Sequence, residues 1–317
     1  MKLPPRPAPG RLVSIGTHRL HLYCLGSGSP VVLFDAALGG SSLSWTFVQP
    51  AVADVTTACV YDRAGFGWSD AGPIPRTAPR LADELHALIA AAGLQGPFVL
   101  VGHSFGGLTI RLFAARYPAL VAGLVFVDPA HPEDWIDPPP EQRDRILRGA
   151  RLCRHGVLAA RLGIASLVAA LASAGAVDLA RGIAATASRR TLRRDDEEIL
   201  APVTKLPMET RRMLRWMWTQ PCFFEALGSQ IENVCASAAD VDSAPRFADL
   251  PLVTISATEV SARRRQLQDA LAGRSMTGRH VIAINSGHWI PLDEPDTIVQ
   301  AIKDVVSRCR VSSKVQS

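Results

Sequence analysis

The sequence predicts an α/β fold, a mostly parallel sheet flanked by helices on both faces, with a helical cap inserted after the sixth strand. Three observations lead there. Short apolar runs alternate with segments whose apolar residues recur at helical spacing, the pattern of parallel strands joined by helices. The alternation breaks after Asp128 and resumes at PLVTISA, so the residues between form an insertion. At the junction of one strand and one helix stands GHSFGG, with Ser104 between Gly102 and Gly106.

Taken in order, VSIGTHRLHLYCLGSG reads as a hairpin with Gly16 and Thr17 in its turn and alternating residues on either side. SPVVLFDAALGGSSLSW supplies a strand from Val31 to Phe34 and a loop rich in Gly and Ser, followed by a helix to about Val52. TTACVYDRAGFGWSD adds a strand ending in a Gly-rich loop. Leu81 to Ala92 is a helix, with Leu81, Leu85, Leu88 and Ile89 on one face. Phe98 to Val101 is the strand before Ser104, and Leu108, Ile110, Leu112 and Phe113 are the apolar positions of the helix after it. A strand from Leu124 to Val127 completes the first half of the core, residues 1–128. Residues 129–248 read as the cap: helical, rich in Ala, Leu and Arg, and punctuated by Pro138 to Pro140, Pro202 and Pro207. The second half of the core, residues 249–317, holds PLVTISA, a helix near Arg264 to Ala272, the strand HVIAI and a last helix from Pro295 to Val306, after which RVSSKVQS is expected to fray.

Composition narrows the function. The 317 residues carry a net charge of +5, and from Arg143 to Arg194 eleven arginines face two acids, Asp144 and Asp178. That stretch has no aromatic RNA-binding motif and no helix-turn-helix pattern, so nucleic acid is not expected as a partner. Leu162 to Val177 is uncharged for sixteen residues, short of the roughly 20 a membrane span needs. It reads as a cap helix, with weak contact to a membrane surface as the alternative. Six cysteines, Cys24, Cys59, Cys153, Cys222, Cys235 and Cys309, lie far apart without a C-x-x-C pair. No metal site is expected, and reduced thiols in a cytoplasm are the default. MKLPPRPAPG places proline where a signal peptide would be apolar.

The chemistry concentrates at Ser104. A serine on a sharp strand-to-helix turn is held with its hydroxyl exposed, and glycines flank it because side chains there would strike the turn. Behind it, the helix N-terminus points unpaired N–H groups at the position where negative charge would form.

With GHSFGG, YDRAGFGWSD, LVFVDP and SGHWIPLDEP, the chain from Val13 to Val306 resembles the α/β-hydrolase-fold serine hydrolases that carry a helical cap, esterase- and lipase-like enzymes. The resemblance implies a triad in the order nucleophile, acid, histidine. His288 fits the last place, in a Ser-Gly loop after a short strand, as the general base for Ser104. For the acid, Asp128 at the end of LVFVD is favoured, as in the related haloalkane dehalogenases. Glu259 is the alternative, because the later strand carries Ala257, Thr258, Glu259 and Val260 where many relatives have Gly-x-x-Asp. The oxyanion hole combines the backbone N–H of Phe105 with that of Leu38, or alternatively Ala37, in a loop where relatives usually have His-Gly. Asp62, Arg63, Gly65 and Gly67 resemble a loop that braces the floor of the site. His103, Trp45, Trp216 and Trp218 are the candidate substrate-binding residues, and the run MLRWMWTQPCFF favours an apolar acyl or alcohol group.

The expected activity is hydrolysis of small or medium apolar carboxylic esters through an acyl-enzyme, without cofactor. The same triad also serves amide, lactone and C–C bond hydrolysis and cofactor-free perhydrolysis. Some members of the fold are ligand receptors instead.

Overall fold

The computed structural model of the protein describes residues 4–173, 201–242, 247–258 and 260–315. Among these, the strands are β1 (Arg11–Ser14), β2 (Arg19–Leu25), β3 (Val32–Asp35), β4 (Ala58–Tyr61), β5 (Phe98–His103), β6 (Val121–Val127), β7 (Leu252–Ala257) and β8 (Arg279–Ala283). They form one sheet in the order β1-β2-β4-β3-β5-β6-β7-β8. β1 and β2 are the antiparallel hairpin, β2 pairs antiparallel with β4, and every later pairing is parallel. β5 lies between β3 and β6, so the turn that follows it emerges near the middle of the sheet.

The helices are α1 (Gln49–Ala53), α2 (Ala78–Ala92), α3 (Phe105–Arg116), α4 (Pro140–Arg161), α5 (Ile164–Ser173), α6 (Met208–Met217), α7 (Pro221–Glu232), α8 (Val234–Asp242), α9 (Ala262–Ala272), α10 (Ile290–Asp293) and α11 (Pro295–Val315). Residue alternation in the strands divides the core between two faces. Leu33, Leu100, Leu124 and Leu252 pack with α2 and with Ile110 and Phe113 of α3. Val32, Val99, Val101, Val125, Val127 and Val253 pack on the other face with Val52 of α1 and Ile298, Ile302 and Val305 of α11. Both faces of β5 are therefore dry, which is why its sequence reads as a continuous apolar run. Burying each such side chain stabilises the fold by about 1.5–3 kcal/mol.

Helices α4 to α8 leave the sheet after β6 and return before β7. They are packed onto the core rather than hinged away from it. Met213, Leu214, Met217, Phe223 and Ala226 of the insertion share a cluster with Leu43, Phe66, Trp68 and Leu292 of the core, and Val234 and Val241 pack against Leu81, Phe105, Leu108 and Leu112. Backbone N–H groups of the core donate across this boundary, Arg76 to Ser229 Oγ at 2.9 Å and Ala78 to Ser237 Oγ at 3.0 Å. The apolar stretch opens with a turn at Leu162 and Gly163 and is helical from Ile164 through Ser173; its remainder to Val177 and the arginines from Arg181 to Arg194 lie outside the described residues.

Two sequence expectations are corrected. Cys24 and Cys59, opposite one another in the β2–β4 register, are joined as a disulfide. The expectation of reduced thiols does not hold for this pair, because residues far apart in sequence become direct neighbours only once the strands pair. The last helix also continues beyond Val306, since its backbone is helical to Val315. Its apolar stripe runs on through the buried Cys309, which accounts for the extra turns.

Candidate active site

Ser104 connects β5 to α3 with φ 52° and ψ −117°, a conformation that costs a non-glycine residue energy. The surrounding backbone holds it there. Its N–H donates to the Val127 carbonyl at 3.0 Å, and its own carbonyl accepts from the N–H groups of Gly107 at 2.9 Å and Ala130 at 3.0 Å. The glycines have a steric cause. A Cβ on Gly102 would lie 2.6 Å from the Gly106 carbonyl oxygen, and one on Gly106 would lie 2.5 Å from the Asp35 carbonyl oxygen. The first turn of α3 is thus pressed against the loop after β3.

Asp128, just past β6, is the second strained position, with φ 35°. Its N–H donates to the Ile255 carbonyl at 2.7 Å, which fixes the strand exit. Its side chain is 3% exposed, and Oδ2 accepts from His288 Nδ1 at 2.5 Å. The Ala257 N–H reaches Oδ1 at 3.5 Å, and Arg264 Nη2 on α9 lies 3.6 Å from Oδ2. Burial pushes the carboxyl pKa up, but the hydrogen bond and charge of His288, then Arg264 and His103, outweigh it and hold Asp128 below the usual carboxylate value.

His288 sits in the loop after β8, its side chain 42% exposed. That loop is tied down on several sides. The Thr258 N–H donates to the Ser286 carbonyl at 3.1 Å, Thr258 Oγ1 to the Ala283 carbonyl at 2.6 Å, and the Asn285 N–H to Glu294 Oε2 at 2.7 Å. Its imidazole stands 4.9 Å from that of His103, centroid to centroid. Among the described residues no hydrogen bond joins the Ser104 hydroxyl to His288. Such contacts often tighten only when substrate is bound.

The loop after β3 carries Ala37 and Leu38, and Phe105 is the first residue of α3. The Gly40 N–H donates back to the Ala37 carbonyl at 3.0 Å, closing a turn in the loop whose Asp35 and Ala36 carbonyls face Gly106 in the first turn of α3. Below it, Asp62 accepts from the N–H groups of Ser42 at 2.7 Å and Trp68 at 3.0 Å and from His21 Nδ1 at 2.8 Å. A Cβ on Gly67 would lie 2.0 Å from Asp62 Oδ2, so glycine is required where the loop closes over that carboxylate.

A sequence model described as the alpha/beta hydrolase fold matches residues 30–163. The enol-lactonase from Burkholderia xenovorans LB400 superposes with a TM-score of 0.64 at 20% identity, covering 94% of this chain and 100% of that one. The chain has the α/β-hydrolase fold. Over 127 residues it is 39% identical to a protein of Hormonema carpetanum named a probable transporter, which covers 38% of this chain and 18% of that one. Over 118 residues it is 33% identical to the 2-(acetamidomethylene)succinate hydrolase of Mesorhizobium japonicum, 37% of this chain and 42% of that one. The chain therefore spans less than half the length of these curated relatives.

Within this α/β-hydrolase fold the sequence-selected residues divide into two groups. Ser104, Asp128, His288, Phe105, Ala37 and Leu38 gather at the carboxyl edge of the strands. Glu259 lies outside the described residues. His103 and Trp45 are corrected as substrate-binding residues, since both are fully buried. Trp45 packs on Phe34 at 5.0 Å and edge-on to His103 at 6.4 Å, as core. His103 Nε2–H donates to the His288 carbonyl at 2.8 Å, so it tethers the histidine loop. Burial and the nearby His288 lower its pKa to about 3, which keeps it a neutral donor. Trp216 and Trp218 are partly buried in the cluster that joins cap to core.

A hydrogen-bonded Ser–His–Asp chain elsewhere in the fold provides a contrast with the candidate site. Ser256 Oγ pairs with His280 Nε2 at 2.8 Å, and His280 Nδ1 with Asp269 Oδ1 at 2.5 Å. Ser256 is fully buried within β7 and has ordinary strand geometry, with no helix N-terminus behind it. It links β7, β8 and α9 but offers no surface to a substrate. Sequence reading had no signal for Arg264, because an arginine on a surface helix reveals nothing of the carboxylate it reaches.

Proposed function

We propose that the protein is a serine hydrolase that cleaves small or medium apolar carboxylic esters through an acyl-enzyme on Ser104. One observation carries the reading: the backbone is strained at both Ser104 and Asp128, and the Asp128 carboxylate holds His288 by Nδ1 at 2.5 Å. Strain of this kind persists only where the surroundings over-determine it, and it clusters at active sites.

In this mechanism Ser104 Oγ attacks the ester carbonyl as its proton passes to His288 Nε2. Asp128 keeps the imidazole in the Nδ1–H tautomer and stabilises the imidazolium. The carbonyl oxygen, now negative, accepts from the N–H groups of Phe105 and of Leu38 or Ala37. His288 then returns the proton to the leaving alcohol, and a water deprotonated by the same imidazole releases the acid. The apolar cluster between cap and core, with Leu43, Phe66, Met217, Phe223 and Leu292, favours an apolar acyl or alcohol group. The exposed leucines of α4 and α5 add a weak contact with membrane surfaces to the proposal.

The test is a fluorophosphonate probe with a panel of p-nitrophenyl esters of graded chain length. Wild-type protein should be labelled at Ser104 and turn over repeatedly. Ser104→Ala should lose labelling and lose turnover by several powers of ten. Turnover unchanged in the alanine variant removes the serine-hydrolase reading, and a single slow covalent event without turnover favours a receptor.

A further inference from the structure

The buried guanidinium of Arg63 touches both sides of the oxyanion site. Arg63 follows β4 in the loop YDRAGFGWSD and is 3% exposed. Its Nε donates to Asp35 Oδ1 at 2.7 Å. Nη2 donates to the Ala36 carbonyl, and Nη1 reaches the Ala37 carbonyl at 3.4 Å. Its Cζ stands 5.4 Å from the centroid of the Phe105 ring, close enough for a cation–π contact.

The covalent geometry of the peptide gives these contacts their meaning. The Ala36 carbonyl belongs to the same planar unit as the Ala37 N–H, and the Ala37 carbonyl to the same unit as the Leu38 N–H. In a trans peptide the C=O and N–H point in opposite directions, so anchoring the oxygen fixes where the hydrogen points. A cation at the oxygen also polarises the unit and makes the N–H a stronger donor, an effect enlarged where water is excluded. Phe105, whose ring lies against the same guanidinium, supplies the other N–H.

We propose that Arg63 is a positioning residue for the oxyanion site, its fork setting and polarising the peptides of Ala37 and Leu38 while its face holds Phe105. This rests on the serine-hydrolase reading above. It also explains how the loop keeps its shape with alanine at positions 36 and 37: a side chain from the loop after β4 sets the peptides. Asp35 supplies the countercharge that lets a guanidinium be buried there.

A plainer role for Arg63 would be to neutralise Asp35, and Arg63→Lys separates the two. Lysine keeps a cation beside Asp35 but has no planar fork to hold both carbonyls and lie on Phe105. The expected result is a kcat lower by about 10–100-fold with KM changed by less than about threefold, somewhat less than the loss of one oxyanion donor. Affinity for an alkylboronic acid, to whose boron Ser104 Oγ adds while its proton passes to His288, should fall by the same factor as kcat/KM. A folded lysine variant with wild-type kcat and boronate affinity overturns the proposal. Should the lysine variant unfold, Asp35→Leu with Arg63→Met removes both buried charges together. It is expected to fold and show the same kcat loss, and wild-type kcat in it overturns the proposal equally. Wild-type protein with neither labelling nor turnover would instead sink the hydrolase reading.

Discussion

Strain at single residues separates the candidate site from its imitation. Ser104 and Asp128 hold positive φ, and the buried Ser256 chain, with comparable hydrogen-bond lengths, does not. Asp128→Asn should therefore lower kcat by on the order of 10⁴-fold, because an amide beside Nδ1 favours the wrong imidazole tautomer. Glu259→Gln should have little effect in the same assay, and Ser256→Ala should leave turnover intact. The reverse ranking of Asp128 and Glu259 would move the acid to the later strand. The turns that carry Ser104 and His288 were legible in sequence because glycines and an abrupt change of periodicity mark them. For His103 the sequence does not distinguish support of the turn from a place in the pocket; the fold turns it toward the backbone of the His288 loop. Thiol chemistry supplies a control at this scale. Burial raises the Cys153 thiol to about 12 and the Cys309 thiol to about 11, and also pushes up Cys222 and Cys235. Iodoacetamide near neutral pH should leave ester turnover unchanged, and rapid inactivation would point to a sulfur nucleophile.

Elements are held to one another by polar contacts whose protonation can be reasoned out. His21 on β2 directs Nδ1 at Asp62 Oδ2, 2.8 Å away, and Nε2 at the Pro9 carbonyl, 2.5 Å away. Both partners in that arrangement accept, which favours hydrogen on both nitrogens. Burial pulls its pKa down, yet the charge and hydrogen bond of Asp62 and the Pro9 carbonyl raise it above 6.5 overall. A folded pKa above the unfolded one means stabilisation that is complete below the unfolded value and lost as pH rises through the folded value. The melting temperature of the wild type should exceed that of His21→Gln most in mild acid, and the gap should close in alkali; a gap independent of pH would show a neutral ring. The hairpin, the mostly parallel sheet and the flanking helices were legible because apolar period and turn residues specify them locally. The Cys24–Cys59 bond, Arg63 and Arg264 were not, because each depends on a partner that only the sheet register brings near. In the cap, Trp216 and Trp218 adjoin the cluster of Met217 and Phe223. Replacing either by alanine should shift the preferred ester chain length, each methylene accommodated or excluded being worth about 0.8 kcal/mol. An unchanged chain-length profile would assign both to cap packing alone.

For the whole molecule, the net charge of +5 suggests attraction to anionic surfaces, but the described ion pairs weaken that suggestion on the cap. Arg143 pairs with Asp137, Arg148 with Asp144, Arg154 with Glu232 and Arg161 with Glu225. Surface pairs of this kind contribute little to stability, yet each reduces the field that a membrane would sense. Beside the exposed Arg145 and Arg151, Leu147 and Leu158 of α4, Leu162 in the turn after it and Leu167 of α5 are each more than half exposed. Among the described residues no single helix is long and apolar enough to cross a membrane, and α4 and α5 meet that length and composition only together, as a pair bent by 88°; the contact proposed above is one at the interface. Its strength would then come from inserted side chains more than from charge. Co-sedimentation with anionic vesicles should accordingly be weak, fall only partly at high salt, and fall further when Leu158 and Leu162 are both changed to Ser. Binding abolished by salt but indifferent to the serines would assign the contact to arginines instead, and no binding to the vesicles at any salt would leave the leucines as ordinary exposed residues of the cap.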